Sequence, residues 1–540
     1  FIKNSLFGND IDESAIETSK LRLWLSLVID EDDYERIRSL PNLDFRITFG
    51  DSLTIVEKNL FNNDKLNELD ILKNEYFTQN NLRKKKQIKQ EILTGFADLL
   101  GKDNFFDIEI IYNEVFEKKG GFDIIVSNPP YYQIQKIKDK LYKKKLKDNF
   151  EVFDSFGDLY CLFIERSLKL LNENGVVSLI TSNKWLKTSY GDKLRNYFLS
   201  KKNLLQLIDF KKTPIFKSAD VDTSIVLCTN QKKNTDDTKC TLFNTIIEHN
   251  DLEKFINLNS IDIKFSPNDP WTIANKETLN LLDKLKNIPN KLNLEKLIIK
   301  RGLLTGLNKA FIVSEKQKKL ILTKSQSEKK IFSEILRGSC MNFFSFSWDN
   351  YYLINSHNGY DDIKKVNLEK DFPNTFNHIK EFKKDLIKRL DKGDHWTNLR
   401  NCAYMNAFKK PKVAWMNMNR KWKFSYVPGG YLLEASLNFI ADDTLCKFLT
   451  CILSSKLHEW FFIQKGRVFD DGGYMTKIDT IIKFPILNPN QNDIKHFNKL
   501  FDKLIKINNI DKENKSLLDN EVYKFYKLNQ NDIKVIEQSF

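Results

Sequence analysis

Within residues 1–230, short apolar runs of strand character alternate with segments of helical apolar spacing. No other feature restricts the fold as strongly. "SLFGNDID" reads as a short strand around Leu6 and Phe7 that ends in acidic residues, and "ESAIETSKLRLWLSLVI" as a helix with Glu13 and Ser14 in its first turn. "DFRITFGDSL" is a second strand, closing at Gly50 and Asp51. Residues 57–100 read as helical and highly charged, with the basic run Arg83 to Lys86 on a solvated face. "FDIIVSN" is a third strand, and "FGDLYCLFIERSLKLLNENG" an amphipathic helix closed by Gly175. "VVSLITSN", "LLQLIDF" and "TSIVLC" supply further strands. Strands separated by helices imply an α/β fold, a parallel doubly wound sheet covered on both faces.

Beyond residue 230 the texture changes. "TNQKKNTDDTK" is polar and reads as loop or linker. From about residue 295 aromatic residues are frequent and the alternation becomes irregular, which predicts a second, mixed α/β domain ending in helices. The expected organisation is a first domain over 1–230 with a charged helical insertion at about 57–105. A linker over 231–294 and a second domain over 295–540 follow. The chain has 540 residues and no apolar run near the roughly 20 residues of a membrane span. Its seven cysteines are scattered without a CxxC pair, as in a reducing cytoplasm, and no metal site is expected. The net charge of +14 favours a polyanionic partner, nucleic acid above all.

In a doubly wound sheet, ligands gather at the carboxyl ends of the strands. Three of those ends carry polar residues. Asp10 ends the first strand, where a carboxylate can take both hydroxyls of a ribose. Asp51 ends the second, where it can accept from an adenine amino group. Capping of the next helix fits either aspartate as well. The third strand ends on Asn128-Pro129-Pro130-Tyr131. Asn128 precedes a proline and is held extended. The two prolines have locked φ and no N–H, so the turn is stiff. It can present the Asn128 side-chain oxygen and the Pro129 carbonyl to one amino group, with Tyr131 as a flat face for a base. An exocyclic amine is a poor nucleophile because its lone pair is delocalised into the ring. Two acceptors on its N–H bonds pull the nitrogen towards tetrahedral geometry, so that it can attack a methyl sulfonium in line. Positioning and electrostatics carry such a reaction without a metal. A base must leave its duplex to reach the turn.

These residues resemble the adenine-specific DNA methyltransferases of the TaqI-like class, most of all the type IIG restriction–modification enzymes. "LFGNDIDESAIETSKLRLWLSL" and "ITFGDSL" resemble the family's second and third cofactor motifs, and "FDIEIIYNEVFEKKGGFDIIVSNPPYYQ" the approach to its catalytic motif. "FGDLYCLFIERSLKLLNENGVVSLITSNKWLKTSYGDKLRNYF" resembles the segment after catalysis, and "TPIFKSADVDTSIVL" the late motif whose aromatic packs the flipped base. "RGLLTGLNKAFIV", "LRNCAYMNAFKKPKVAW" and "ILSSKLHEWFF" are similar to parts of the target-recognition domain.

The resemblance implies a Rossmann-like methyltransferase sheet followed by that domain, and site-specific methylation of adenine N6 in double-stranded DNA. The cofactor would be S-adenosyl-L-methionine, held by Asp10, Ile11, Asp51, Ser52 and Leu53. Asn128, Pro129, Pro130 and Tyr131 would be catalytic, with Tyr131 and Phe216 stacking on the target base. The family's glycine-rich cofactor loop and the strand before it are expected upstream of Phe1, which makes this chain an N-terminally truncated fragment, inactive alone. "FEKK" at 116–119 has a nuclease-like look but lies inside the methyltransferase match. A nuclease, and with it Mg, is expected only upstream. The parent protein is expected to be monomeric or fused to that nuclease. Two other readings fit parts of the pattern: a methyltransferase of protein glutamine amides, and a catalytically incomplete DNA-binding defence component.

Overall fold

The computed structural model describes residues 5–29, 43–56, 63–101, 106–201, 204–211, 215, 222–231, 236–243, 251–267, 269–323, 325–390, 392–466, 473–507 and 512–540. The chain divides into two compact units, Phe1–Ile273 and Ala274–Phe540.

The first unit begins with β1 (Gly8–Asp10), α1 (Glu13–Ile29) and β2 (Ile47–Phe49); β1 and β2 are parallel, with Asp10 opposite Phe49. Helices α2 (Asn63–Thr78) and α3 (Leu82–Leu100) follow and bury Leu66, Leu69, Ile92 and Phe96 against each other. Asn81 caps α3 by accepting from the Arg83 and Lys84 amides, and the basic run beyond it is largely exposed. After α4 (Asn113–Lys119) comes β3 (Phe122–Ser127), the first strand of a six-stranded sheet. The others are β4 (Leu171–Ser182), β5 (Leu204–Asp209), β6 (Thr223–Thr229), β7 (Asp237–Leu242) and β8 (Ile261–Lys264), in the order β3-β4-β6-β5-β7-β8. Helices α5 (Lys140–Asn149), α6 (Leu159–Lys169), α7 (Asp192–Lys201) and α8 (Leu252–Asn259) lie between them in sequence.

The observed sheet differs from an all-parallel one. Strand β6 runs antiparallel between β4 and β5, and β8 antiparallel to β7. The sequence joining β5 to β6 has no helical apolar spacing, so it offers no crossover helix, and an antiparallel return needs none. Helix α6 ends at Lys169 rather than at Gly175, and β4 starts at Leu171. Gly175 lies inside β4 beside a register shift against β3. A Cβ there would come within 2.7 Å of the Phe122 carbonyl oxygen, so the position signals close approach of two strands rather than a helix end. The interval 231–294 holds β7, α8, β8 and α9 (Lys276–Lys286). In β7 the polar residues alternate with the buried Thr238 and Cys240, a pattern that linker-like composition hides.

Among the described residues, β1 and β2 share no ladder with the six-stranded sheet. Side chains make the connection instead. The Tyr112 hydroxyl donates to the Gly8 carbonyl at 2.6 Å and lies 2.5 Å from Thr48 Oγ1. Phe7 packs edge-on against Tyr112 and Phe122, and the Arg46 guanidinium covers Phe7 while pairing with Glu114 at 3.0 Å.

The second unit has two four-stranded sheets. One is antiparallel throughout, built from β9 (Ile298–Arg301), β13 (Lys412–Met416), β14 (Ser425–Val427) and β16 (Leu437–Ala441). The other contains β10 (Ile312–Ser314), β11 (Phe332–Leu336), β12 (Tyr351–Ile354) and β15 (Leu432–Leu433), with β11 and β15 parallel. Helices α10 (Cys446–Ser454), α11 (Lys456–Lys465), α12 (Gln491–Leu504), α13 (Lys512–Phe525) and α14 (Gln530–Glu537) close the chain. Their apolar faces pack with Trp415, Trp422 and Trp460 in one aromatic-rich core. Among the described residues no helix is long and apolar enough to cross a membrane.

One edge of the six-stranded sheet leaves apolar side chains open. Ile124 and Val126 on β3 are 73% and 79% exposed. A strand edge of this kind is a template for pairing with another chain. The sedimentation coefficient of the purified chain should therefore rise with concentration, and Val126→Lys should flatten that rise without lowering thermal stability. The same concentration dependence in both proteins would show that this edge does not drive association.

Candidate active site

The polar residues at the strand ends of the first unit are set by the backbone around them. Asp10 ends β1, and its carbonyl accepts from the Gly50 amide at 2.8 Å, which ties the two strand ends together. The Asp10 side chain is exposed and accepts from the Asp12 amide at 2.9 Å. Gly50 has no room for a side chain, because a Cβ there would lie 2.1 Å from the Phe106 ring. Its small size lets the Phe106 ring pack against the turn. Oδ1 of Asp51 accepts from the Leu53 amide at 2.9 Å. Leu53 is buried, Ser52 donates to the side-chain oxygen of Asn9, and Ile11 is 69% exposed.

Sequence reasoning missed a second partner of Asp51. The Tyr142 hydroxyl, on α5, donates to its Oδ2 at 2.6 Å. Burial, and then the neighbouring carboxylate, pushes the phenol pKa far up, so Tyr142 remains a neutral donor. The two residues are 91 positions apart, and no local pattern marks the pairing.

Asn128-Pro129-Pro130-Tyr131 follows directly on β3, at the carboxyl end of that strand. Asn128 and Pro130 are exposed, Pro129 is buried and Tyr131 half-buried. The Tyr131 hydroxyl donates to the Ile180 carbonyl of β4 at 3.2 Å and makes a long contact of 3.4 Å with the Asn128 side-chain oxygen. Its ring stands edge-on to buried Tyr160 at 6.1 Å, and burial raises its pKa. The next residues are clamped as well. Gln133 bridges to Asp158, the Leu159 amide donates to the Tyr132 carbonyl at 2.9 Å, and the Ile134 amide donates to the Gly157 carbonyl at 2.9 Å. The turn is rigid through proline at one end and through hydrogen bonds at the other.

The clamp carries a second feature that sequence reasoning missed. Phe156, in the "DSFGD" turn that holds residues 132–134, is 74% exposed. A bare aromatic ring beside a glycine was the available signal. Phe216 lies outside the described residues. The Glu117, Lys118 and Lys119 side chains of the "FEKK" segment are exposed on α4, and Lys119 pairs with Asp123 at 2.7 Å, an ordinary surface ion pair.

Comparison with known proteins shows what the segment that carries these strand ends is similar to. Residues 4–216 match the Eco57I restriction-modification methylase model. A type II methyltransferase of Geobacillus stearothermophilus, M.BstVI, is 25% identical over 447 residues, which cover 77% of this chain and 75% of the relative. The type II restriction enzyme and methyltransferase RM.Eco57I of Escherichia coli is 29% identical over 213 residues, 36% of this chain and 20% of that protein. M.AccI, a type II methyltransferase of Acinetobacter calcoaceticus, is 27% identical over 229 residues, 39% of this chain and 40% of the relative. The chain therefore spans only a fifth to two fifths of the last two. Among solved structures, the type IIL restriction-modification enzyme MmeI in complex with DNA aligns with a TM-score of 0.49 and 14% identity, covering 84% of this chain and 60% of that one.

The net charge is not shared between the units. Residues 1–273 hold 40 Lys and Arg against 42 Asp and Glu, whereas residues 274–540 hold 46 against 30. The whole positive surplus lies in the second unit.

The pairing of Tyr142 with Asp51 can be tested directly. Tyr142→Phe should cost about 1.5–3 kcal/mol in urea unfolding, since it removes a hydrogen bond to a charged acceptor. A double-mutant cycle with Asp51→Asn should show coupling of at least about 0.5 kcal/mol. Additive effects would mean that the contact does not hold the two segments together.

Proposed function

We propose that this chain supplies the catalytic turn and the DNA-reading part of a site-specific DNA methyltransferase that transfers a methyl group from S-adenosyl-L-methionine to the N6 amine of adenine. The observation that carries this reading is the rigid Asn128–Tyr131 turn, placed at the carboxyl end of a sheet strand in a segment that matches the Eco57I methylase model. Asn128 and Pro129 are the acceptors for the target amine, and Pro130 keeps the turn stiff. Among the described residues no hydrogen bond is recorded on the Pro129 carbonyl, so it has a lone pair to offer. Tyr131 provides the stacking face, its hydroxyl tethered to β4 so that the ring does not rotate freely. Phe216 is the proposed second face.

The acidic strand ends fit the nucleoside part of the cofactor. Exposed Asp10 suits ribose hydroxyls. Asp51 suits an amino group, because a carboxylate retains acceptor capacity after taking the Leu53 and Tyr142 donors. Ile11, Ser52 and Leu53 line the same ends. The cofactor supplies an electrophilic methyl group. The protein's part is to hold the amine in line with it, draw both N–H bonds into acceptors and exclude water. Residues from about 295 to 540 are assigned to recognition of the DNA site, and the basic surplus of the second unit supports this over a protein-amide substrate.

Asn128→Ala in the full-length protein should lower methyl transfer by at least about 100-fold, the usual cost of losing one preorganised group that acts in the transition state. Affinity for duplex DNA should change by no more than a few-fold. Methylation within tenfold of wild type would remove Asn128 from the mechanism. Binding of duplex DNA by the chain should weaken with salt, the log–log slope gaining about −0.9 for each phosphate neutralised. A slope near zero would make the basic surplus a solvated surface and nothing more.

A further inference from the structure

We propose that Arg337 and Glu434 read one G·C base pair from the major groove, an assignment that rests on the proposed role of the second unit in DNA recognition. Strands β11 and β15 are parallel neighbours, with Leu336 paired to Leu433. Arg337 and Glu434 are therefore the first residues past the shared carboxyl end of the two strands, and the Glu434 amide donates to the Leu336 carbonyl at 2.9 Å. Adjacent strands lie about 4.8 Å apart, so a long donor and a long acceptor start side by side. Both line a surface pocket of about 330 Å³, together with Asn308, Lys309, Ser339 and Tyr351. Asn308 and Lys309 come from "RGLLTGLNKAFIV", and the parallel bridge of Leu303 to Glu434 brings that segment to the same edge.

Each of the two side chains is held in place by its neighbours. The Arg337 guanidinium sits over the Tyr351 ring, 3.7 Å from its centre. Asp349 Oδ2 takes Nε at 3.0 Å and Nη2 at 2.6 Å. Among the described residues no acceptor meets Nη1, so the Nη1–Nη2 edge is presented to a ligand with the plane already set. Oε1 of Glu434 accepts from Asn308 Nδ2 at 2.6 Å, and Oε2 lies 3.4 Å from Ser436 Oγ. The carboxylate is held by neutral donors and keeps acceptor capacity.

A rigid guanidinium edge matches the O6 and N7 acceptors of guanine, and a carboxylate matches the N4 amino donor of the paired cytosine. A phosphate would also accept from Arg337 but would be repelled by Glu434. The pairing of one donor edge with one acceptor therefore selects a base pair over the backbone.

The test is selection of binding sites from a random duplex pool by the full chain, wild type beside Arg337→Lys, Arg337→Ala and Glu434→Gln, with thermal unfolding as the check on fold. Wild type is expected to select a site with a fixed G·C pair. Arg337→Lys and Arg337→Ala should relax preference at that one position by roughly 5- to 150-fold and leave the other positions fixed. Glu434→Gln should relax the same position. An unchanged site in folded Arg337→Lys would overturn the proposal while leaving the second unit as the DNA reader. Uniform weakening on all sequences, with the salt slope reduced by about one, would make Arg337 a phosphate contact and also overturn it. A wild-type chain that selects no sequence would overturn the recognition role of the second unit, and this proposal with it.

Discussion

The arrangement of the first unit depends on Tyr112. Strands β1 and β2 carry the two acidic ends, and the six-stranded sheet carries the proposed catalytic turn, yet among the described residues no ladder joins the two sheets. The buried Tyr112 hydroxyl, bonded to Gly8 and Thr48, registers one sheet against the other, with the rings of Phe7 and Phe122 packed around it. Burial raises the Tyr112 pKa far above its ordinary value, so the hydroxyl stays a neutral donor. A single buried hydrogen bond contributes only about 1 kcal/mol to stability. Its larger effect is geometric, because it helps to register the strands that carry Asp10 and Asp51 against the sheet that precedes Asn128.

Much of this was legible in the sequence, for a physical reason. Short apolar runs separated by helical spacing mark the strands, and the carboxyl ends of such strands hold the polar residues. Asp10, Asp51 and Asn128 were found by that logic, and all three lie at strand ends. Gly175 misled because a glycine that ends a helical pattern and a glycine demanded by strand crowding look alike in one dimension. Strand β7 was hidden because half of its residues face solvent and its composition matches a loop. The antiparallel turn of β6 was equally hidden, since direction depends on the connection and not on the strand.

The contacts that were not legible share a cause. Tyr142 meets Asp51 across 91 residues, and Arg337 stands beside Glu434 through the pairing of β11 with β15. A sequence displays local periodicity but not which strand ends become neighbours, so any site assembled from distant segments remains latent until the topology is known. The charge division behaves differently. It was present in the sequence throughout, but only the boundary between Ile273 and Ala274 shows that one unit is near neutral and the other strongly basic.

The proposed catalytic turn and the proposed base-reading pair answer one physical demand by different means. Each must present a polar group in a set orientation before its ligand arrives, so that little entropy is lost on binding. The backbone of Asn128 is restricted covalently, through the proline that follows it, and no ion pair is needed. Arg337 has several rotatable bonds and is restricted instead by Asp349 and by the face of Tyr351. An ion pair near the surface typically adds about 1 kcal/mol or less to stability. The Arg337–Asp349 pair is therefore better understood as an orienting device than as a source of stability. The difference in means follows from the tasks. A catalytic turn handles one invariant amine and can be locked into the backbone. A base-reading side chain must be replaceable by mutation when the recognised sequence changes, and an ion pair at a strand end can be exchanged without disturbing the sheet that carries it.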